Sequence, residues 1–300
     1  GGKDRYRFDD KGEGTFICTH CGSGKGIKLL QLYHGWRFPE AASAVADFLE
    51  LQFDRFQAND RYSEYRDING SEDNVHQRRL SKREIVYRRS RNIQTWAGGH
   101  PVSIGDPVDV YLQSRGIGLS HYPSALRFHP CLPYFDDDNN FIGNFPAMLA
   151  LVTNPDGYGV CIHRTYLGNG SKANLPKPKK LMSAIFPNAT KGASIKLFDP
   201  STTELALAEG IETALSCFIA TGIQAWATVS AWGMENVLLP ASISSIVICV
   251  DNDKSGRGQE AALVLSRRLV AEGRKVRRIM PDSQGLDLND VLLMEVANDC

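Results

Sequence analysis

Three short acidic stretches in this 300-residue chain end runs of apolar residues, and carboxylates placed that way can hold a metal ion. The first is Leu205-Ala206-Leu207-Ala208-Glu209-Gly210. The second is Ile246 to Val250 followed by Asp251-Asn252-Asp253, and the third is Gly285-Leu286-Asp287-Leu288-Asn289-Asp290. Two carboxylates about 5–6 Å apart repel by roughly 3 kcal/mol at an effective dielectric near 20. Three or four together would rival the ~5–15 kcal/mol stability of a whole domain. A hard divalent cation removes the repulsion, and carboxylates with water are what Mg²⁺ prefers. The pattern therefore predicts Mg²⁺ or Mn²⁺ at Glu209, Asp251, Asp253, Asp287 and Asp290. The competing reading is that these residues cap the helices that follow them.

A second chemistry is basic. From Val160 to Phe198 there are seven Lys or Arg and no Asp or Glu, whereas Asp199 to Cys300 carries fourteen acidic and eight basic residues. A basic arm beside an acidic cluster predicts contact with phosphates. The candidates are Arg164, Lys172, Lys177 and Lys180, with Lys254 next to the Asp251/Asp253 pair. Near the start, Cys18 and Cys21 have the C-x2-C spacing of half a zinc ribbon, and no second Cys pair stands nearby.

The elements that must position these groups follow from periodicity. Leu205 to Ala208, Ser245 to Val250 and Lys275 to Met280 read as parallel strands alternating with helices over Ile211–Thr221 and Gly258–Glu272. A further strand is expected over Gln224–Ser230. Such sheets carry their functional groups at the carboxyl ends of the strands. Upstream, Met148–Thr153 and Gly159–Tyr166 read as strands around the turn Asn154-Pro155-Asp156-Gly157, and Asp136 to Asn140 as a hairpin turn. Ser81-Lys82-Arg83-Glu84 fits a capping box that opens a helix. Helices are also expected over Ile27–His34, Phe38–Leu51 and Val108–Arg115, with a polar linker at Gln57–Gln77. The seven cysteines, odd in number and scattered, argue for a reducing, cytoplasmic setting. No apolar run approaches the ~20 residues of a membrane span, and no membrane partner is expected.

Glu209-Gly210 with Thr213-Ala214-Leu215, then Asp251-x-Asp253, then Asp287 to Asp290, resembles the Toprim domain shared by primases, topoisomerases and some nucleases. Thr-Ala after the glutamate motif, His163-Arg164-Thr165-Tyr166-Leu167 and Gly1-Gly2-Lys3-Asp4-Arg5 resemble the alpha-type primases of satellite phages and plasmids. Replicative primases carry an Asp where Thr213 stands, and Glu212 is one position off. The resemblance implies an α/β chain in four parts. These are a partial zinc ribbon (1–30), a helical connector with a linker (31–118), a basic α/β subdomain (119–200) and a Rossmann-like Toprim domain (201–300). It implies that a first zinc knuckle precedes Gly1, so that the zinc site is incomplete in this chain. It further implies primer synthesis from nucleoside triphosphates on single-stranded DNA in plasmid, phage or mobile-element replication, with a helicase in cis or in trans. In that reaction Glu209, Asp251 and Asp253 would be catalytic, Glu209 as ligand or proton acceptor, while Arg164, Lys172 and Lys180 would hold template or triphosphate. A Toprim nuclease and a non-catalytic single-strand binder that recruits a helicase are the alternatives.

Overall fold

The computed structural model describes residues 6–9, 15–18, 22–37, 40, 41, 44, 45 and 80–298. The expected linker, most of the helix expected over Phe38–Leu51, and Cys21 lie outside the described residues.

The chain divides into two compact units, Gly1–Gln57 and Ala58–Cys300. In the first, strands β1 (Tyr6–Asp9), β2 (Thr15–Cys18) and β3 (Gly22–Gly24) pair antiparallel in that order. Their alternation buries Phe16 and leaves Ile17 exposed. Helix α1 (Gly26–His34) follows and ends at Gly35, whose φ of 69° suits a left-handed C-terminal cap.

Among the described residues the first element of the second unit is α2 (Lys82–Ala97), started by the expected capping box: the Glu84 N–H donates to Ser81 Oγ, and the Glu84 carboxylate accepts from the Ser81 N–H. After β4 (His100–Pro101) comes α3 (Pro107–Ser114), capped by Asp106 with Pro107 at its first position. Strands β5 (Leu126–Phe135), β6 (Phe141–Thr153), β7 (Gly159–Tyr166) and β8 (Lys179–Leu181) complete an antiparallel sheet in the order β4-β5-β6-β7-β8. At the β5–β6 turn the Asp136 carboxylate accepts from the Asn140 N–H and Nδ2.

A second sheet is built from β9 (Ile195–Lys196), β10 (Glu204–Ala208), β11 (Ala225–Ala227), β12 (Ser245–Cys249) and β13 (Lys275–Ile279). Its order is β13-β12-β10-β11-β9, parallel except for β9. The helices are α4 (Ile211–Thr221), α5 (Ala231–Asn236), α6 (Arg257–Ala271) and α7 (Leu288–Asn298). Alternation along β10 sends Leu205 and Leu207 into a core with Ala261, Ala262, Leu265 and Leu269 of α6. Ala206 and Ala208 face the other way, into a core with Ala214 and Leu215 of α4 and Met148, Ala150 and Val152 of the antiparallel sheet. The two sheets of this unit therefore share one apolar core. β11 stops at Ala227, short of the expected Ser230, because Val229 turns to a φ of 71° and donates its N–H to the Glu209 carbonyl at 2.9 Å. No helix among the described residues is long and apolar enough to cross a membrane.

A candidate metal and phosphate site between two sheets

Strands β10 and β12 lie side by side in parallel, so Glu209 and Asp251, just past their ends, come out at the same edge. Both line a cavity of about 170 Å³, together with Gly210 and Val229. The Glu209 carboxylate makes no hydrogen bond or ion pair among the described residues; the residue's backbone carbonyl accepts from the Val229 N–H. Burial, and then the Asp253 charge, push its carboxyl above the usual range. Asp251 accepts one long bond from Thr213 Oγ1 (3.5 Å). Burial pushes it up to about 6, with further contributions from Asp287 and Glu209. Neither residue caps a helix: α4 is capped by Gly210 and α6 by Gly256.

The other predicted carboxylates are placed differently. Asp253 is exposed, and its Oδ1 accepts from Ser255 Oγ (3.0 Å) and the Gly256 N–H (2.8 Å), fixing the loop that leads into α6. Asp287 and Asp290 exchange reciprocal bonds at the start of α7, at 2.9 and 3.1 Å. Arg115 stands 4.0 Å from Asp287 and 3.5 Å from Asp290. Asp287 and Asp290 thus do the capping work that was the competing expectation: the Asp287 carboxylate, just before α7, accepts the Asp290 N–H, and the Asp290 carboxylate accepts the Asp287 N–H in return, while Asp287 still acts on Asp251 through its charge. Lys254 is exposed beside Asp253.

Among the described residues no group of three His, Cys, Asp or Glu side chains could hold a metal ion by itself. The pair at the cavity fits Mg²⁺ or Mn²⁺ on its own chemistry. Mg²⁺ binds through one or two carboxylates and fills its other positions with water and substrate phosphate. Glu209 and Asp251 are half-buried, the Glu209 charge helps to raise the proton affinity of Asp251, and both carboxylates are short of other partners.

The opposite wall of the cavity is basic and comes from the antiparallel sheet: His163 on β7 and Lys179 on β8. Burial, and then Lys179, hold His163 down to about 4, so it is neutral near pH 7, and its Nδ1 has no hydrogen-bond partner. Lys179 Nζ donates to Glu212 Oε2 at 2.9 Å. Tyr111 Oη donates to Glu212 Oε1 at 2.6 Å, and Lys172 Nζ lies 3.9 Å from the same oxygen. Burial opposes ionisation of Glu212, but Lys179, Lys172 and Tyr111 outweigh it and hold its carboxyl at about 2. Two ammonium groups thus share one buried carboxylate beside the acidic pair.

The basic arm is not the acid-free surface that its local sequence predicts. Lys172 and Lys179 meet Glu212, whereas Lys177 (2.6 Å) and Lys180 (3.5 Å) meet Asp137 of the β5–β6 turn. These acids lie far away in sequence and arrive only through folding. Arg164 lies apart from the cavity, its guanidinium 3.2 Å from Tyr166 Oη. Sequence reasoning passed over Lys179 and Glu212; the strand register that selects them cannot be counted from composition. In the first unit, Cys18 ends β2 and is half-buried.

Three segments of the chain match known protein families. Residues 204–298 match the Toprim domain, residues 1–27 the zinc-binding domain of primase-helicase, and residues 87–192 a domain of unknown function, DUF7146. Among solved structures, a DNA primase domain from Pseudomonas aeruginosa is similar at 14% identity and a TM-score of 0.45, over 71% of this chain and 75% of that one. The zinc-binding and RNA polymerase domains of the Aquifex aeolicus primase align at 15% identity and 0.45, over 95% and 71%. The primase fragment of the bacteriophage T7 primase-helicase protein aligns at 13% and 0.39, over 63% and 67%. Residues 204–298, the parallel sheet that carries Glu209 and Asp251, form a Toprim domain.

Proposed function

We propose that this chain is the catalytic part of a DNA primase, joining nucleoside triphosphates into a short primer on single-stranded DNA. The reading rests chiefly on the cavity in which Glu209 and Asp251 face Lys179 and His163. A site of this kind matches a triphosphate carried with its cation. When bound by Glu209 and Asp251, Mg²⁺ or Mn²⁺ would supply the Lewis acidity that lowers the charge cost at the attacking 3′-hydroxyl and the departing pyrophosphate. Asp253 and Asp287 add negative charge around the pair. Lys179 and Lys172, already drawn together by Glu212, offer the excess positive charge that triphosphate oxygens need, and Lys254 offers a further contact from the solvent side. Uncharged His163 can donate or accept one hydrogen bond on a bound nucleotide without adding charge.

The zinc-binding match over residues 1–27 supports Cys18 and Cys21 as thiolate ligands of a zinc ribbon, and it favours primer synthesis over DNA cleavage by the same carboxylates. A helicase partner, in cis or in trans, and a role in mobile-element replication in the cytoplasm belong to the same proposal, as does the division at residues 30, 118 and 200. The test supplies labelled nucleotides, single-stranded DNA and Mg²⁺ or Mn²⁺. Joined products that need both metal and template are expected. Cleaved DNA without joining would hand the site to a nuclease, and metal-independent binding without turnover would make the chain a binding module.

A further inference from the structure

Pleating divides the basic residues of β7 and β8 between two faces of their sheet. Arg164 is paired directly with Lys180 on one side and Leu149 on the other, so these three side chains share a face. His163 and Thr165, with Lys179 opposite Thr165, share the other. The face with His163 and Lys179 looks onto the acidic cavity. The face with Arg164, Tyr166 and Lys180 looks away from it, and with α2 it encloses a groove of about 500 Å³.

The groove is built for an anion with an aromatic ring attached. α2 contributes Arg88 and Arg91, three residues apart and so on one side of the helix. Among the described residues no carboxylate pairs with Arg88, Arg91 or Arg164. Arg164 is half-buried, and its Nε is enclosed without a hydrogen-bond partner, an arrangement that costs free energy unless a ligand completes it. Lys180 adds a fourth cation, held partly by Asp137. The two acids that line the groove are occupied locally: Glu84 accepts from Ser81 N–H and Oγ at 2.9 and 3.0 Å, and Asp136 from Asn140 at 2.8 and 3.0 Å. Tyr87 leaves 60% of its surface open, with the Arg91 guanidinium 5.8 Å from its ring centre. Exposed rings in a cationic groove are the platform on which single-strand bases stack.

We propose that this groove is a second nucleic-acid site, which seats a phosphate of single-stranded DNA among Arg88, Arg91 and Arg164 and stacks the adjoining base on Tyr87. It rests on the primase reading only in taking the strand to be the template. The same strand reaches the acidic cavity by passing the edge of the sheet at β8, which is three residues long and has no further strand beyond it among the described residues.

The test is fluorescence anisotropy of a labelled oligothymidylate with the whole chain in chelator, over a range of salt. Arg88→Ala with Arg91→Ala, the first half-buried with its guanidinium 3.5 Å from the Ala184 carbonyl and the second exposed, is expected to weaken binding and lower the slope of log affinity against log salt by about 0.7 for each phosphate no longer neutralised. Tyr87→Ala is expected to weaken it roughly fivefold or more with the slope kept, and Arg164→Lys to weaken it while the protein's melting point holds. Unchanged affinity and slope in the Arg88/Arg91 variant would overturn the site. So would a groove that ATP fills while strand binding ignores all these substitutions. Nucleotide joining, measured alongside, separates the two readings: its absence in the wild-type chain counts against the primase alone, and an unaltered salt slope counts against the groove alone.

Discussion

Replacing Asp251 by Asn should make the metal-free protein more stable, and the gain should depend on pH in a defined direction. The Asp251 carboxyl sits at about 6 rather than its ordinary 3.8. Each unit of such a shift is worth about 1.4 kcal/mol, which gives about 3 kcal/mol for a fully shielded group. Because Asp251 is half-buried, solvent screening brings the expected penalty nearer to about 2 kcal/mol. The sign follows from proton linkage. Below the unfolded value both states are protonated and the penalty is absent; it grows as pH rises and is complete once the folded carboxyl ionises, above about 6. Asp251→Asn should therefore melt higher than wild type at pH 8 in chelator, by roughly 4–8 °C if the unit melts as one domain. The gap should shrink towards pH 4.5. Adding Mg²⁺ should raise the wild-type melt and leave the variant unmoved, closing the gap from the other side. Thermal melts at three pH values, with chelator and with Mg²⁺, decide the matter. A variant that melts below wild type at pH 8 in chelator would refute the reasoning and leave Asp251 as a structural acceptor for Thr213.

Substitutions at four other positions read separate parts of the site. Glu212→Gln removes the shared counter-charge of Lys172 and Lys179 and should cost about 2 kcal/mol at pH 7, less than a fully buried pair because both lysines reach solvent. Since the Glu212 carboxyl is held low, that cost should persist above pH 4.5 and fade as pH drops towards 2, which a pH series of urea titrations would show. Asp253→Ala loses the bonds from Ser255 and Gly256 and should cost about 1 kcal/mol, whereas Asp253→Asn keeps an acceptor oxygen and should melt close to wild type. Asp290→Ala gives up the reciprocal cap of α7 and the Arg115 pair; a loss of about 0.5–2 kcal/mol is expected, with nucleotide joining largely kept in steady-state assay. Lys179→Ala should raise the KM for nucleotide with little change in template affinity, and an unaltered KM would remove Lys179 from the site.

Much of the fold was legible where a residue's neighbours in sequence are also its neighbours in space. The apolar runs of β10 and β12 announce buried parallel strands, Ser81 and Glu84 announce the start of α2, and Asn154 to Gly157 announce the turn between β6 and β7. The emergence of Glu209 and Asp251 at one edge followed from the parallel reading alone. The failures share one physical cause. Whether Lys179 or Lys180 reaches the cavity depends on the pairing of Thr165 with Lys179, a register set by the fold. The acids that meet the basic arm, Glu212 and Asp137, lie some 30 to 40 residues from their lysines. Asp287 and Asp290 did carry a visible signal, since acidic residues three apart at a helix start are a capping pattern, but the attraction of a metal cluster outweighed it. β9, two residues long and antiparallel, has no periodicity to read.

The alternation that sends Lys179 one way and Lys180 the other makes the length of the connection between β7 and β8 as consequential as its composition. Substituting a residue between Leu167 and Pro178 changes the chain at one point. Deleting one residue there, with β8 still paired to β7, would shift every β8 side chain to the opposite face, turning Lys180 towards the carboxylates and Lys179 towards α2. Within a set of related chains this connection, Lys172 apart, should therefore vary more readily in sequence than in parity, and length changes in it should be absorbed in the loop without altering the face with which β8 meets β7.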